Sequence, residues 1–127
     1  MEFKETRPIY LQIADFICER ILEGTFQEGG RIPSVRDLSM EMEVNPNTVL
    51  KSYGYLEAHG IIHKQRGTGF YVSPGAREKV RSLQKERFFN EVLPEVFATM
   101  DSLGIYPEEL ATYYHAWKEE EDEKKTH

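Results

Sequence analysis

The chain has 127 residues, of which 39% are hydrophobic and 30% charged, with a formal net charge of -6. That suffices for one ordinary domain, or a small domain with a helical appendage, and it excludes a large enzyme and a disordered tail. No run approaches the roughly 18 to 20 apolar residues that cross a bilayer, and the start over residues 1 to 8 is charged where a secretory signal turns hydrophobic, so a cytoplasmic protein without membrane contact is expected.

Pro8 to Leu22 reads as a first helix, because Ile9, Ile13, Phe16, Ile17 and Ile21 recur at three- and four-residue intervals and proline suits a first turn. The single cysteine, Cys18, lies in this stripe and reads as a buried thiol. It has no second thiol for a disulfide or structural zinc site, and no nearby histidine to activate it. Gly24 ends the helix, and a connector follows with a short strand expected at Arg31 and Ile32. Ser34 to Asp37 matches the Ser-x-x-acid capping pattern, opening a second helix that runs to about Met42. Asn45 and Pro46 start a third helix that ends at Gly60. Val49, Tyr53 and Leu56 form its inner stripe, leaving Asn47, Thr48, Lys51 and Tyr55 on or beside the opposite face.

Beyond Gly60, β-branched and aromatic residues flank Gly67, Thr68 and Gly69, the composition of a hairpin with Arg66 at its tip. From Ala76 the chain turns helical, and Pro94 should kink the helix or restart it near Leu93. Phe89, Leu93, Val96, Met100 and Leu103 keep a four-three rhythm that wants an apolar partner. That partner is either a second copy of the chain or the N-terminal domain. A last helix opens at Pro107, with Leu110, Tyr113, Tyr114 and Trp117 on one face, and the acidic tail should fray. The expected fold is α+β and mainly helical: a winged helix-turn-helix over residues 1 to 75 and a two-helix dimerisation region over residues 76 to 127.

A helix, a tight helix pair and a hairpin make the arrangement that places a third helix in a DNA major groove. Asn47, Thr48 and Lys51 near its start suit base edges and phosphate, and Arg36 and Arg66 flank it. The overall charge is acidic, but between Lys64 and Arg87 seven basic residues stand against Glu78 and Glu86, so a nucleic-acid site is expected near there. Ser34 and Asn45 are also ordinary helix caps, and Arg36 and Arg66 taken singly are ordinary solvated charges. His59, His63, His115 and His127 show no metal-ligand spacing. The glycines around Thr68 lack the lysine and serine of a nucleotide-binding loop, and no nucleophile, acid and base share a motif.

The order and spacing of Pro8-Ile9-Tyr10, Arg31 to Leu38, Val44 to Val49, Tyr53, Leu56 and Arg66 to Gly69 resemble the GntR family of bacterial transcription regulators over residues 8 to 73. The resemblance implies DNA contacts from Ser34, Arg36, Asn45, Asn47, Thr48 and Lys51, and from the wing at Arg66, Gly67 and Thr68. The short C-terminal region is similar to that of the YtrA subfamily, which implies a dimer that represses a transporter operon, with no cofactor.

In such a dimer, Phe89, Leu93, Val96, Met100, Leu103, Tyr113 and Trp117 would form the contact. A small-molecule effector, if one acts, would bind near Pro94 and favour one geometry over another. The chain departs from the family at Glu43, where a glycine is usual, and at Leu50 and Thr68, where polar or basic residues are common. Leu50 either touches a thymine methyl or sits at the edge of the core. Gly54, inside the third helix, suggests a close backbone approach. A winged helix that recruits a protein partner, without sequence-specific DNA binding, is the rival reading.

Overall fold

Helix α1 spans Ile9–Glu23 in the computed structural model, which describes residues 7 to 126. Residues 1 to 6 of the charged start, and His127, lie outside the described residues. The Pro8 carbonyl accepts from the Leu11 and Gln12 amides, and Gly24 closes the helix at a φ of 87°, a left-handed value glycine adopts without strain. Ile13, Ile17, Cys18 and Ile21 are buried as the stripe requires, but Ile9 is 46% exposed. It occupies the first turn, before the helix reaches the core.

Helix α2 is Val35–Met42 and helix α3 is Pro46–Ala58. Only half of the expected capping box forms at α2. Ser34 Oγ accepts from the Asp37 amide at 3.0 Å, while no bond returns from the Asp37 carboxylate among the described residues. Asn45 Oδ1 caps α3 by accepting from the Asn47 amide at 2.8 Å. Between the two helices Glu43 holds φ 55° and ψ 48°, a left-handed backbone at the position where the resemblance leads to the expectation of a glycine. For a residue with a Cβ that conformation costs about 1 to 2 kcal/mol.

Strands β1, Ile62–Gln65, and β2, Gly69–Val72, form an antiparallel hairpin in which Ile62 faces Val72 and Gln65 faces Gly69. The strand expected at Arg31 and Ile32 is a single bridge from Arg31 to Tyr71. It is extended by the Ile32 amide donating to the Phe70 carbonyl at 3.0 Å and the Val72 amide donating to that of Gly30 at 2.9 Å.

Between α1, α3 and the hairpin sits one core that includes Ile13, Ile17, Leu38, Val49, Tyr53, Leu56, Ile61 and Val72, with Ala76 and Val80 of helix α4, Ala76–Arg87. Each large aliphatic side chain fully buried there contributes roughly 1.5 to 3 kcal/mol. Tyr53 stacks edge-on against Phe70, and its hydroxyl donates to the Pro33 carbonyl at 2.6 Å. Ser52 Oγ donates to the Tyr10 carbonyl at 2.6 Å, tying α3 to the start of α1.

The chain divides into two units after Gln84. In the second, a π-helical turn at Phe88–Val92 leads into α5, Leu93–Leu103, and then α6, Pro107–Thr126. Pro94 does interrupt the helix near Leu93, as a restart: the Leu93 amide reaches five residues back to the Phe88 carbonyl. The expected fraying of the tail is corrected, because α6 continues to Thr126. Glutamate and lysine are good helix formers, the pairs Lys118–Asp122 and Glu121–Lys124 sit at helical spacing, and two lysines close the last turn.

The strained turn and the buried thiol each set an expectation for stability. Glu43→Gly should relieve the left-handed backbone, stabilising the fold by about 1 kcal/mol and raising the melting temperature by about 5 °C; an unchanged or lower midpoint would refute the strain. Burial foremost, then the charges of Asp15 and Glu19, push the Cys18 thiol from 9.0 up to about 12. Burial likewise raises the Tyr53 phenol above its ordinary 10.0, with Asp37 and Glu41 adding to it. Both groups are neutral when protonated, so their contribution is complete below the unfolded values and is lost as pH rises toward the folded ones. Urea midpoints should therefore fall from pH 9 upward. Cys18→Ala should remove the first part of that slope, and a slope identical to the parent's would count against a sealed thiol.

Candidate nucleic-acid interface

Helix α3 is divided lengthwise. Val49, Ser52, Tyr53 and Leu56 are buried, whereas Asn47, Leu50, Lys51 and Gly54 are exposed. At 3.6 residues per turn these two sets lie on opposite faces. The capping bond that starts the helix uses one oxygen of Asn45, leaving its amide nitrogen free to donate outward. Asn45, Asn47, Thr48 and Lys51 then line an open cleft of about 390 Å³ together with Ile9 and Tyr10 of α1.

The first turn of α1 supplies the other wall of this cleft. Lys51 Nζ lies 4.2 Å from the centre of the Tyr10 ring, a cation–π contact worth about 0.5 to 1 kcal/mol at an exposed position. Tyr10 belongs to the Pro-Ile-Tyr motif, yet nothing in the sequence joins it to Lys51, which lies 41 positions away; only the α1–α3 packing does so. Tyr55, expected beside the outer face, turns inward instead. It is half-buried, edge-on to Tyr10 and tilted against His59. Two large neighbouring rings offer it more apolar surface than water does.

The wing places Arg66, Gly67 and Thr68 at the exposed turn between β1 and β2. Gly67 takes a φ of 78°, and the turn closes through the Thr68 amide and hydroxyl, which donate to the Gln65 carbonyl at 3.0 and 3.2 Å. Gly69, at a φ of 126°, leaves room for the Arg31 guanidinium: a Cβ there would come within 3.0 Å of it. Arg31 thus lies against the root of the wing, a cation that the sequence places only in the connector. Arg36 is exposed on the first turn of α2. Arg36, Lys51 and Arg66 enter no ion pair among the described residues, so their charge is available to an anion.

Leu50 is 54% exposed, which removes the core-edge explanation for it. At Gly54 an added Cβ would meet nothing within 4 Å, which removes a close approach by the protein's own backbone. The glycine costs about 1 kcal/mol of helix stability relative to alanine with no return inside the fold.

In the second unit, Met100 is buried and Leu93 and Val96 are half-buried, while Phe89 and Leu103 are exposed. Tyr113, Tyr114 and Trp117 also face solvent, Tyr113 at 76% and Trp117 at 53%. So much exposed aromatic surface on one helix is unusual for a protein surface without a partner. No helix is long and apolar enough to cross a membrane among the described residues.

Comparison with known proteins accords with this geometry. Residues 9–72 match the family of bacterial regulatory proteins, gntR family. The chain is 35% identical over 117 residues to the HTH-type transcriptional repressor YtrA of Bacillus subtilis (strain 168), a match that spans 92% of this chain and 86% of that one. It is similar to a solved transcriptional regulator of the GntR family from Bacteroides thetaiotaomicron, with a TM-score of 0.79, 42% identity, and coverage of 90% of this chain and 99% of that chain. It is also similar to the AraR DNA-binding domain solved in complex with operator ORR3, with a TM-score of 0.52, 27% identity, and coverage of 57% and 86%.

Proposed function

We propose that this chain, which belongs to the gntR family of bacterial regulatory proteins, is a homodimeric repressor that reads a near-palindromic operator, in keeping with the repressor name carried by its relative YtrA. One observation carries the reading: the face of α3 turned away from the core presents Asn47 and Lys51, with Asn45 and Thr48 beside them and no acidic side chain on the cleft they line. An α-helix fits the major groove of B-DNA, and each base pair shows a distinct pattern of donors and acceptors there.

In this reading Asn47 and Thr48 hydrogen-bond base edges, and Lys51 takes a guanine or a phosphate. The Asn45 amide and the Ser34 turn approach the backbone where α3 and α2 begin, their free amides adding a favourable dipole. Arg36 reaches a phosphate from α2. Arg66, Gly67 and Thr68 lay the wing on the adjacent backbone or minor groove, where a glycine lets the main chain come close. The net charge of -6 disfavours coating of duplex DNA along the whole surface, so that binding depends on local cationic sites.

The π-helical turn and the apolar faces of α5 and α6 supply the dimer contact through Phe89, Leu93, Val96, Met100, Leu103, Tyr113 and Trp117. A two-fold pair would set its recognition helices about 34 Å apart, one turn of the duplex. The target class, a transporter operon, is carried over from the YtrA-like resemblance. Any small-molecule effector must bind the operator-competent geometry and its alternative unequally.

A binding titration against DNA selected from a random pool tests the interface. Arg36→Ala and Arg66→Ala should each weaken binding to all sequences and flatten the salt dependence by about 0.9 for each phosphate no longer neutralised, whereas Asn47→Ala should chiefly relax base preference. Folded, dimeric variants that bind as tightly as the parent would sink the assignment, and sequence-blind retention by the parent would favour the protein-interaction module. Val96→Asp places a charge in the apolar seam and should halve the mass seen by light scattering; an unchanged mass would remove α5 from the dimer contact.

A further inference from the structure

Leu50 and Gly54 are one helical turn apart on the outer face of α3, and the fold uses neither. Leu50 is 54% exposed, so its side chain contributes little to the core. Gly54 is exposed and lies inside a regular helix, with no left-handed φ and nothing within 4 Å of a Cβ built there. It therefore serves neither packing nor backbone conformation. Residues four apart on a helix are surface neighbours, and the missing side chain at 54 leaves a recess beside the Leu50 side chain. Asn47 and Lys51 share this face, so the recess is an apolar spot within a polar reading surface.

Among the groups that base pairs show in the major groove, the thymine 5-methyl is the distinctly apolar one. We propose that Leu50 reads a thymine methyl in each operator half-site, with Gly54 leaving the room that lets the methyl seat against it. This rests on α3 being the recognition helix, and it assigns a base preference to two residues whose identities the protein interior does not explain. Thymine would be favoured over cytosine at that position, because a cytosine offers an amine and no methyl where Leu50 offers only hydrocarbon. A polar residue at 50 would lose that preference without affecting the core.

The probe is the duplex that the parent protein selects from a random pool, resynthesised with deoxyuridine replacing each thymidine in turn. That change removes one methyl and keeps every base-pair hydrogen bond. The parent should lose about fivefold in affinity at one thymine per half-site, the worth of roughly one buried methyl. Leu50→Ala should be indifferent to uridine there, and Leu50→Met should retain the effect. Gly54→Ala should blunt it while melting at a higher temperature than the parent, which separates a filled recess from damage to the fold. A Leu50→Ala protein with the parent's uridine pattern overturns the proposal, as does a parent indifferent to every uridine. If such a parent still loses affinity on Arg66→Ala, the DNA-binding reading stands alone; a parent that selects no duplex overturns both.

Discussion

The N-terminal unit depends on how α3 is held. Val49, Tyr53 and Leu56 are fully buried, and the Tyr53 hydroxyl and Ser52 Oγ each donate to a carbonyl of another segment, Pro33 and Tyr10. The apolar residues fix which way the helix faces, since a rotation of one position would expose a large aromatic and strand a buried hydroxyl. The two polar bonds fix where it sits along its axis. With its inner face determined in this way, the outer face is determined too, and Asn47, Leu50 and Lys51 point outward because their neighbours must point inward.

Small polar residues serve two ends at the edges of that helix pair. Ser34 and Asn45 each satisfy an amide that the helix geometry leaves open. In doing so they sit where two helix N-termini meet solvent, where the dipole favours an anion. Thr68 closes the wing turn with the same hydroxyl that stands at the hairpin tip. For these residues folding and the proposed contact with DNA would draw on one chemistry, which is why a capping signal and a candidate binding signal occupy the same short stretch of sequence.

Much of the N-terminal fold is legible in the sequence because its periodicities are clean. The stripe of α1, the caps of α2 and α3 and the glycine-rich turn each answer to local rules, and the helix boundaries fall within about two residues of expectation. What escapes a local reading is decided by contacts between distant segments. Ile9 lies on the right stripe but ahead of the core. Tyr55 is drawn inward by Tyr10 and His59, and Arg31 rests against Gly69 through pairing with β2. The cleft shared by Tyr10 and Lys51 is invisible in the sequence for the same reason. The tail departs from expectation on different grounds: its charge density suggests fraying, whereas its glutamates and lysines are good helix formers and two lysines close the last turn.

The lone thiol of α1 bears on how the molecule meets oxidants. Cys18 is 3% exposed, and burial holds it protonated. Peroxide and electrophiles attack the thiolate, and they need to reach it. Oxidants thus find little thiolate to attack at this sulfur, so its burial protects the thiol of the N-terminal unit from oxidation.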